Sequence, residues 1–123
     1  GELVAEGSGA TIDGARGATN ELLGREVTFS AILAVNNLAA VGVVLALREA
    51  GLAVPGDVAV ACFDDIELAA YLCPFLTVMA QPATTYGSLA TEMLIERIQG
   101  TAPEERRVMV LPGELIVRES TGG

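Results

Sequence analysis

Histidine is absent from all 123 residues, which removes Ser-His-Asp and Cys-His catalysis from consideration. Lysine is absent too: the seven basic residues are all arginine, set against 16 acids for a net charge of −9. A nucleic-acid surface needs a basic face to neutralise phosphates, so this chain is not one. Aromatic residues make up only 4% while hydrophobic residues reach 51%, so the core has to be built from Ala, Val, Leu and Ile. That composition suits buried parallel strands covered by helices. No apolar run is long enough to span a membrane, and no basic segment followed by an apolar one opens the chain, which leans toward a cytoplasmic setting. The two cysteines, Cys62 and Cys73, make no metal or redox motif. Cys62 ends an apolar run and reads as a small core residue, which is preferred over a disulfide to Cys73 beside Pro74.

Other chemistries fail on spacing. Gly9 to Gly14 spaces as GxxxxG, but Ala15 and Arg16 follow where a phosphate loop needs Lys and Ser or Thr. Asp64, Asp65 and Glu67 offer oxygen ligands for a divalent cation. Their spacing is better read as acids near the positive end of a helix dipole. No cofactor, no metal and no enzyme activity are expected.

The apolar pattern predicts alternating strands and helices. Leu3–Ala5 is a short strand candidate. Thr11 is placed to cap a helix through Leu23, with Ile12, Ala15, Thr19, Leu22 and Leu23 on one face and Gly24 closing it. Ala31–Val35 reads as a strand, Leu38–Ala50 as a mostly apolar helix stopped by Gly51, and Val58–Cys62 as a strand after a Pro-Gly-Asp turn. A short helix is expected over Ile66–Leu72, ended by Pro74, and an extended segment over Leu76–Met79. Tyr86, Ala90, Leu94 and Ile98 stripe a helix over Thr84–Gln99, ended by Gly100. Val108–Val110 and Leu115–Val117 are the expected closing strands. The βα, βα, β alternation implies an α/β fold, a parallel sheet flanked by helices. At this length the chain is one domain or a piece of a larger one.

The stretch from Ala34 to Ile66 carries the most information. Two buried-type strands end in polar side chains, Asn36 and Asp64, and a helix joins them. In open α/β sheets, ligands bind outside the carboxyl ends of the strands. The Asn36 amide donates and accepts, while an ionised Asp64 accepts only and can hold two hydroxyls at once. Together they suit a polyhydroxylated or heteroaromatic small molecule, and Gln81, in the segment before the long helix, offers a third polar contact.

The same residues also carry a resemblance. An AxND-like turn at Ala34–Asn37, the run Gly51-Leu52-Ala53-Val54-Pro55 with Val58 through Asp65, and the later Thr77–Pro82 segment of TxxxQP form stand in the order and spacing of LacI/GalR-type bacterial transcription regulators. The resemblance runs from Thr11 to Thr121. It implies the C-terminal subdomain of a periplasmic-binding-protein-like clamshell plus the returning crossover helix, 83–99, across residues 1–123. The DNA-binding helix-turn-helix would be absent from this chain, so DNA is met only through a separate domain. The resemblance further implies a small-molecule effector, a carbohydrate or related metabolite, facing Asn36, Asp64 and Gln81, and a homodimer with Leu47 and Tyr71 near its interface. The alternative is a sugar-binding protein of a transport system. A missing other half would leave the 84–99 stripe uncovered, to fold back on its own sheet or to be swapped with a second chain. It would also make the isolated chain a poor ligand binder.

Three features depart from the family pattern. Asn37 stands where an Asp is usual, Ala80 where a basic residue is common, and Ala10 falls near the position of a ring that stacks on the ligand. The polar strand ends also have plainer uses. Asn37 is expected to cap its helix, a duty Asn36 could share, and Asp65 to cap the short helix after it.

Overall fold

The computed structural model describes residues 4–5, 10–25, 28–65 and 75–123. In chain order the elements are α1 (Ile12–Leu23), β1 (Ala31–Ala34), α2 (Asn37–Glu49), β2 (Ala59–Phe63), β3 (Thr77–Ala80), α3 (Ala83–Gln99), β4 (Glu114–Ile116) and a 3-10 turn (Glu119–Thr121). They form two compact units, Gly1–Ala80 with Leu115–Gly123, and Gln81–Glu114.

In the first unit, α1 starts where its cap predicts. Thr11 is extended, and its Oγ1 accepts from the Gly14 amide at 3.1 Å, satisfying one of the open amides at a helix start. The sheet order is β1-β2-β3-β4. β1, β2 and β3 are parallel, with Ala34 opposite Cys62 and Phe63 opposite Met79. Parallel neighbours need a crossover, and α2 supplies it between β1 and β2. Helical spacing brings Ala39, Ala40, Val43, Ala46 and Leu47 onto one face of α2, and all are buried. Ala39, Ala40, Val43 and Leu47 meet Ala34, Val58, Val60, Cys62, Leu76 and Val78 in an aliphatic core. Burying a leucine as completely as Leu47, at 0% exposure, contributes roughly 2–3 kcal/mol. Leu47, expected near a dimer interface, spends its whole side chain on this core.

α1 packs on α2 at Gly42, which is buried in the middle of its helix. A Cβ placed there would lie 2.9 Å from both the Ala15 Cβ and the Arg16 amide nitrogen and would run into the Ile12 carbonyl. The absence of a side chain is what lets the two backbones approach. The Arg16–Glu49 ion pair across the same helices, at 3.3 Å, is about half exposed on both sides and adds little.

Strand alternation turns Leu33 away from the α2 side, and it is 75% exposed. Parallel sheets are usually buried on both faces. Here the C-terminal 3-10 turn packs against β2 and β3, while Leu33 and Val35 at β1 stay exposed.

In the second unit, α3 begins one residue earlier than the pattern suggests and ends at Gly100, which takes the left-handed conformation at φ 72°. No residue of α3 is buried, and Leu94 and Ile98 of the stripe are 58% and 76% exposed. Residues 106–113 run without regular structure, so the strand expected at Val108–Val110 does not form, and these side chains stay exposed. Tyr86 donates to the Leu111 carbonyl at 3.3 Å. With Leu89, Ala90, Met93 and Met109 these two residues line an open concavity of about 230 Å³. An Arg107–Glu96 ion pair ties the same segment to α3.

Elsewhere the expected boundaries shift by a residue or so. β1 stops at Ala34, β2 runs from Ala59 to Phe63, and the last strand is Glu114–Ile116. Val4 and Ala5 take no regular structure. Leu3, Tyr71, Cys73 and the helix expected over Ile66–Leu72 lie outside the described residues.

Candidate functional site

The carboxyl ends of β1 and β2 bring two of the predicted residues together. Ala34 pairs with Cys62, so Asn36 and Asp64 each stand two residues beyond the same rung of the ladder. Both are half-buried. Gln81 directly follows β3 and is the first residue of the second unit.

Asn36 has a structural duty as well. It is extended, and its Oδ1 accepts from the Ala39 amide at 2.8 Å, which makes it the cap of α2. This corrects the assignment of the cap to Asn37, which is instead the first helical residue and is buried at 7% exposure. The cap uses the acceptor end of the Asn36 amide. Its NH2 group remains as the chemically distinct donor end.

Asp64 is the one non-glycine residue with positive φ among the described residues, at 70°. Aspartate enters this region more readily than most residues, yet it still costs on the order of 1 kcal/mol. The surroundings hold it there. The Asp64 amide donates to the Met79 carbonyl at 3.1 Å, extending the β2–β3 ladder one bond past β2. The Cys62 thiol lies 3.8 Å from the Asp64 carbonyl, as a weak donor from the core. Left-handed residues held in place by their neighbours cluster at binding sites.

The helix that Asp65 is expected to cap lies outside the described residues; within them, Asp65 binds the end of the chain. Its Oδ2 accepts from Arg118 at 2.8 Å, in an ion pair whose side chains are 15% and 20% exposed. Its Oδ1 is buried and has no partner among the described residues. The same Arg118 guanidinium donates to the Leu76 carbonyl at 2.9 Å. The Arg118 amide donates to Thr77 Oγ1 at 2.8 Å, and the Thr77 hydroxyl reaches the Arg118 carbonyl at 3.1 Å.

Ser120 completes this attachment. It is fully buried, donates to the Val60 carbonyl at 2.5 Å and accepts from the Thr77 amide at 2.8 Å. With Ala61 opposite Thr77 and the Asp64 amide on Met79, the parallel pattern would join the Thr77 amide to the Val60 carbonyl directly. The serine hydroxyl bonds both of these groups, which ties the C-terminal tail to the ladder. Sequence reasoning missed Arg118, Thr77 and Ser120. Thr77 was visible only as the start of the TxxxQP segment, and the other two as a polar Arg-Glu-Ser-Thr run after the last strand, with nothing to link Arg118 to Asp65, 53 residues away.

A parallel α/β sheet with polar side chains at adjacent carboxyl ends is a small-molecule-binding architecture. The periplasmic binding protein-like domain family matches residues 3–121. A lactose operon repressor from Rhizobium radiobacter is 41% identical over 99 residues, 80% of this chain and 86% of that protein. The HTH-type transcriptional regulator MalR of Streptomyces coelicolor is 38% identical over 111 residues, 90% of this chain but 31% of the regulator. The crystal structure of a LacI family transcriptional regulator from Arthrobacter sp. FB24 in complex with lactose has a TM-score of 0.77 at 36% identity, covering 90% of this chain and 41% of that one. The chain belongs to the periplasmic binding protein-like domain family, on the branch of the LacI-type transcriptional regulators. It spans about a third of the length of MalR.

Proposed function

We propose that this chain is the effector-sensing part of a LacI-type regulator, taking a small polyhydroxylated molecule, a sugar or close relative, at the carboxyl ends of β1 and β2. The observation that carries the reading is that Asn36 and Asp64 each stand two residues beyond the Ala34–Cys62 rung, with Asp64 held in a left-handed conformation. An amide donor beside a carboxylate acceptor matches vicinal hydroxyls, each of which both donates and accepts. Lactose bound to the Arthrobacter regulator supports a carbohydrate. Gln81 is a third candidate contact, to be tested by its own substitution.

In this reading, ligand binding biases the arrangement of the full protein and so the DNA affinity of a separate domain. Only a difference in affinity for two arrangements can drive such a switch. Assembly as a homodimer in the cytoplasm belongs to the same proposal. Leu47 lies in the core, so its part in that proposal is to stand near the interface rather than on it.

The test is calorimetry of the intact protein against lactose and a panel of mono- and disaccharides. Asp64→Ala removes charge-assisted hydrogen bonds to hydroxyls, each worth about 1.5–3 kcal/mol, so affinity should fall by at least about tenfold. Equal binding by wild type and variant would remove Asp64 from the site.

A further inference from the structure

The Arg118 side chain is 42 residues from Leu76 and 53 from Asp65 in sequence, yet it bonds to both. Asp65 is the immediate neighbour of Asp64, and the Asp64 amide hangs on Met79, two residues past the threonine that grips the Arg118 backbone. The left-handed turn at Asp64 is thus fastened on both sides. On one side the ladder bond to β3 fixes its amide. On the other, the tail holds the next residue through a charge-assisted contact about 80% shielded from water. A side chain on an unfastened loop would sample several directions. With the following residue pinned and φ at 70°, the backbone fixes the direction of the Asp64 Cα–Cβ bond.

We propose that Arg118 is a positioning residue for the effector site. By holding Asp65 it fixes the orientation of Asp64, so that the C-terminal Arg118–Thr121 segment sets ligand affinity without touching ligand. The inference rests on the reading of Asp64 as an effector contact, and it adds to that reading a control element from the far end of the chain. A guanidinium suits the task because its planar fork serves Asp65 and the Leu76 carbonyl at the same time. A lysine would keep the charge and lose one of the two bonds.

The experiment uses the intact protein, with Arg118→Gln, Arg118→Lys, Asp65→Asn and the Asp65→Asn/Arg118→Gln double variant, and Asp64→Asn alongside. Two quantities are measured: affinity for lactose and the sugar panel, and amide hydrogen exchange at Asp64 relative to Ala39. The Ala39 amide belongs to the α2 cap and reports general loosening. Arg118→Gln should weaken sugar binding about tenfold and speed exchange at Asp64 at least tenfold more than at Ala39. Asp65→Asn should do the same, the double variant should add nothing further, and Arg118→Lys should restore part of the loss.

If Arg118→Gln lowers the melting temperature and speeds exchange at both amides alike, the residue is only structural and the inference is overturned. If Asp64→Asn abolishes binding while Arg118→Gln binds as wild type, positioning fails and the effector contact stands. If Asp64→Asn binds as wild type, the effector reading itself fails. Unchanged exchange at Asp64 in both Arg118→Gln and Asp65→Asn overturns the inference whichever sugar binds, and Asp65→Asn supplies the reading should Arg118→Gln not fold.

Discussion

Gly42→Ala would separate backbone approach from helix propensity at one position. Taken alone, alanine in a helix interior is favoured over glycine by about 1 kcal/mol. Gly42 opposes that gain because α1 crosses α2 on top of it. The new Cβ would sit 2.9 Å from the Ala15 Cβ and the Arg16 nitrogen, where apolar atoms settle at about 3.5–4.0 Å. The Ile12 carbonyl is nearer still, and all three neighbours belong to α1, whose backbone is not free to turn aside. The helices would have to part by about 1 Å, opening the buried seam around Gly14, Thr19 and Ala39. Overpacking of this kind costs about 1–3 kcal/mol. Against the propensity gain, the net loss should fall near about 1 kcal/mol and reach at most about 2 kcal/mol, which moves a urea midpoint by up to roughly 1 M at unchanged slope. The control is Gly17→Ala on the outer face of α1, where nothing lies within 4 Å of the new Cβ. That variant should be more stable than wild type by about 0.5–1 kcal/mol. If Gly42→Ala matches or exceeds wild type, the close crossing of α1 and α2 is not what requires glycine there.

Two further substitutions separate roles that coincide in one residue. Asn36→Ala should lose about 1 kcal/mol with the Ala39 bond, whereas Asn36→Asp keeps an acceptor at a helix start and should stay within about 0.5 kcal/mol of wild type by thermal melting. Both should weaken sugar binding, because neither has the NH2 donor. An Asp variant that binds sugar as wild type does would leave Asn36 a cap and nothing more. Ser120→Ala withdraws the hydroxyl between the Val60 carbonyl and the Thr77 amide and should cost about 1–3 kcal/mol, with faster exchange at Thr77. An unchanged melt would mean that β2 and β3 close directly across the gap.

Much of the fold was legible because local chemistry and pattern agree. Thr11 and Gly100 mark helix ends by what their side chains can and cannot do. The spacing of Ala39, Ala40, Val43, Ala46 and Leu47 marks the buried face of α2. The Val108–Val110 run shows where pattern fails. Three apolar residues in a row read as a strand, but strands form only where a neighbour offers a ladder, and none reaches this one. Asn36 and Asn37 show a subtler limit. Either asparagine can cap a helix, and the exchange of their roles turned on a single residue of register between strand end and helix start.

The sequence by itself determined the alternation of strands and helices, the aliphatic core, and the residue types at the carboxyl ends of β1 and β2. These follow from periodicity and side-chain chemistry over short stretches of chain. Only the tertiary structure decided that Leu47 faces inward, that Asp64 is left-handed, and that Asp65 pairs with Arg118 from the far end of the chain. Those outcomes depend on which groups the folded chain brings within hydrogen-bonding reach. A contact across 53 residues leaves no mark on the local pattern at either end.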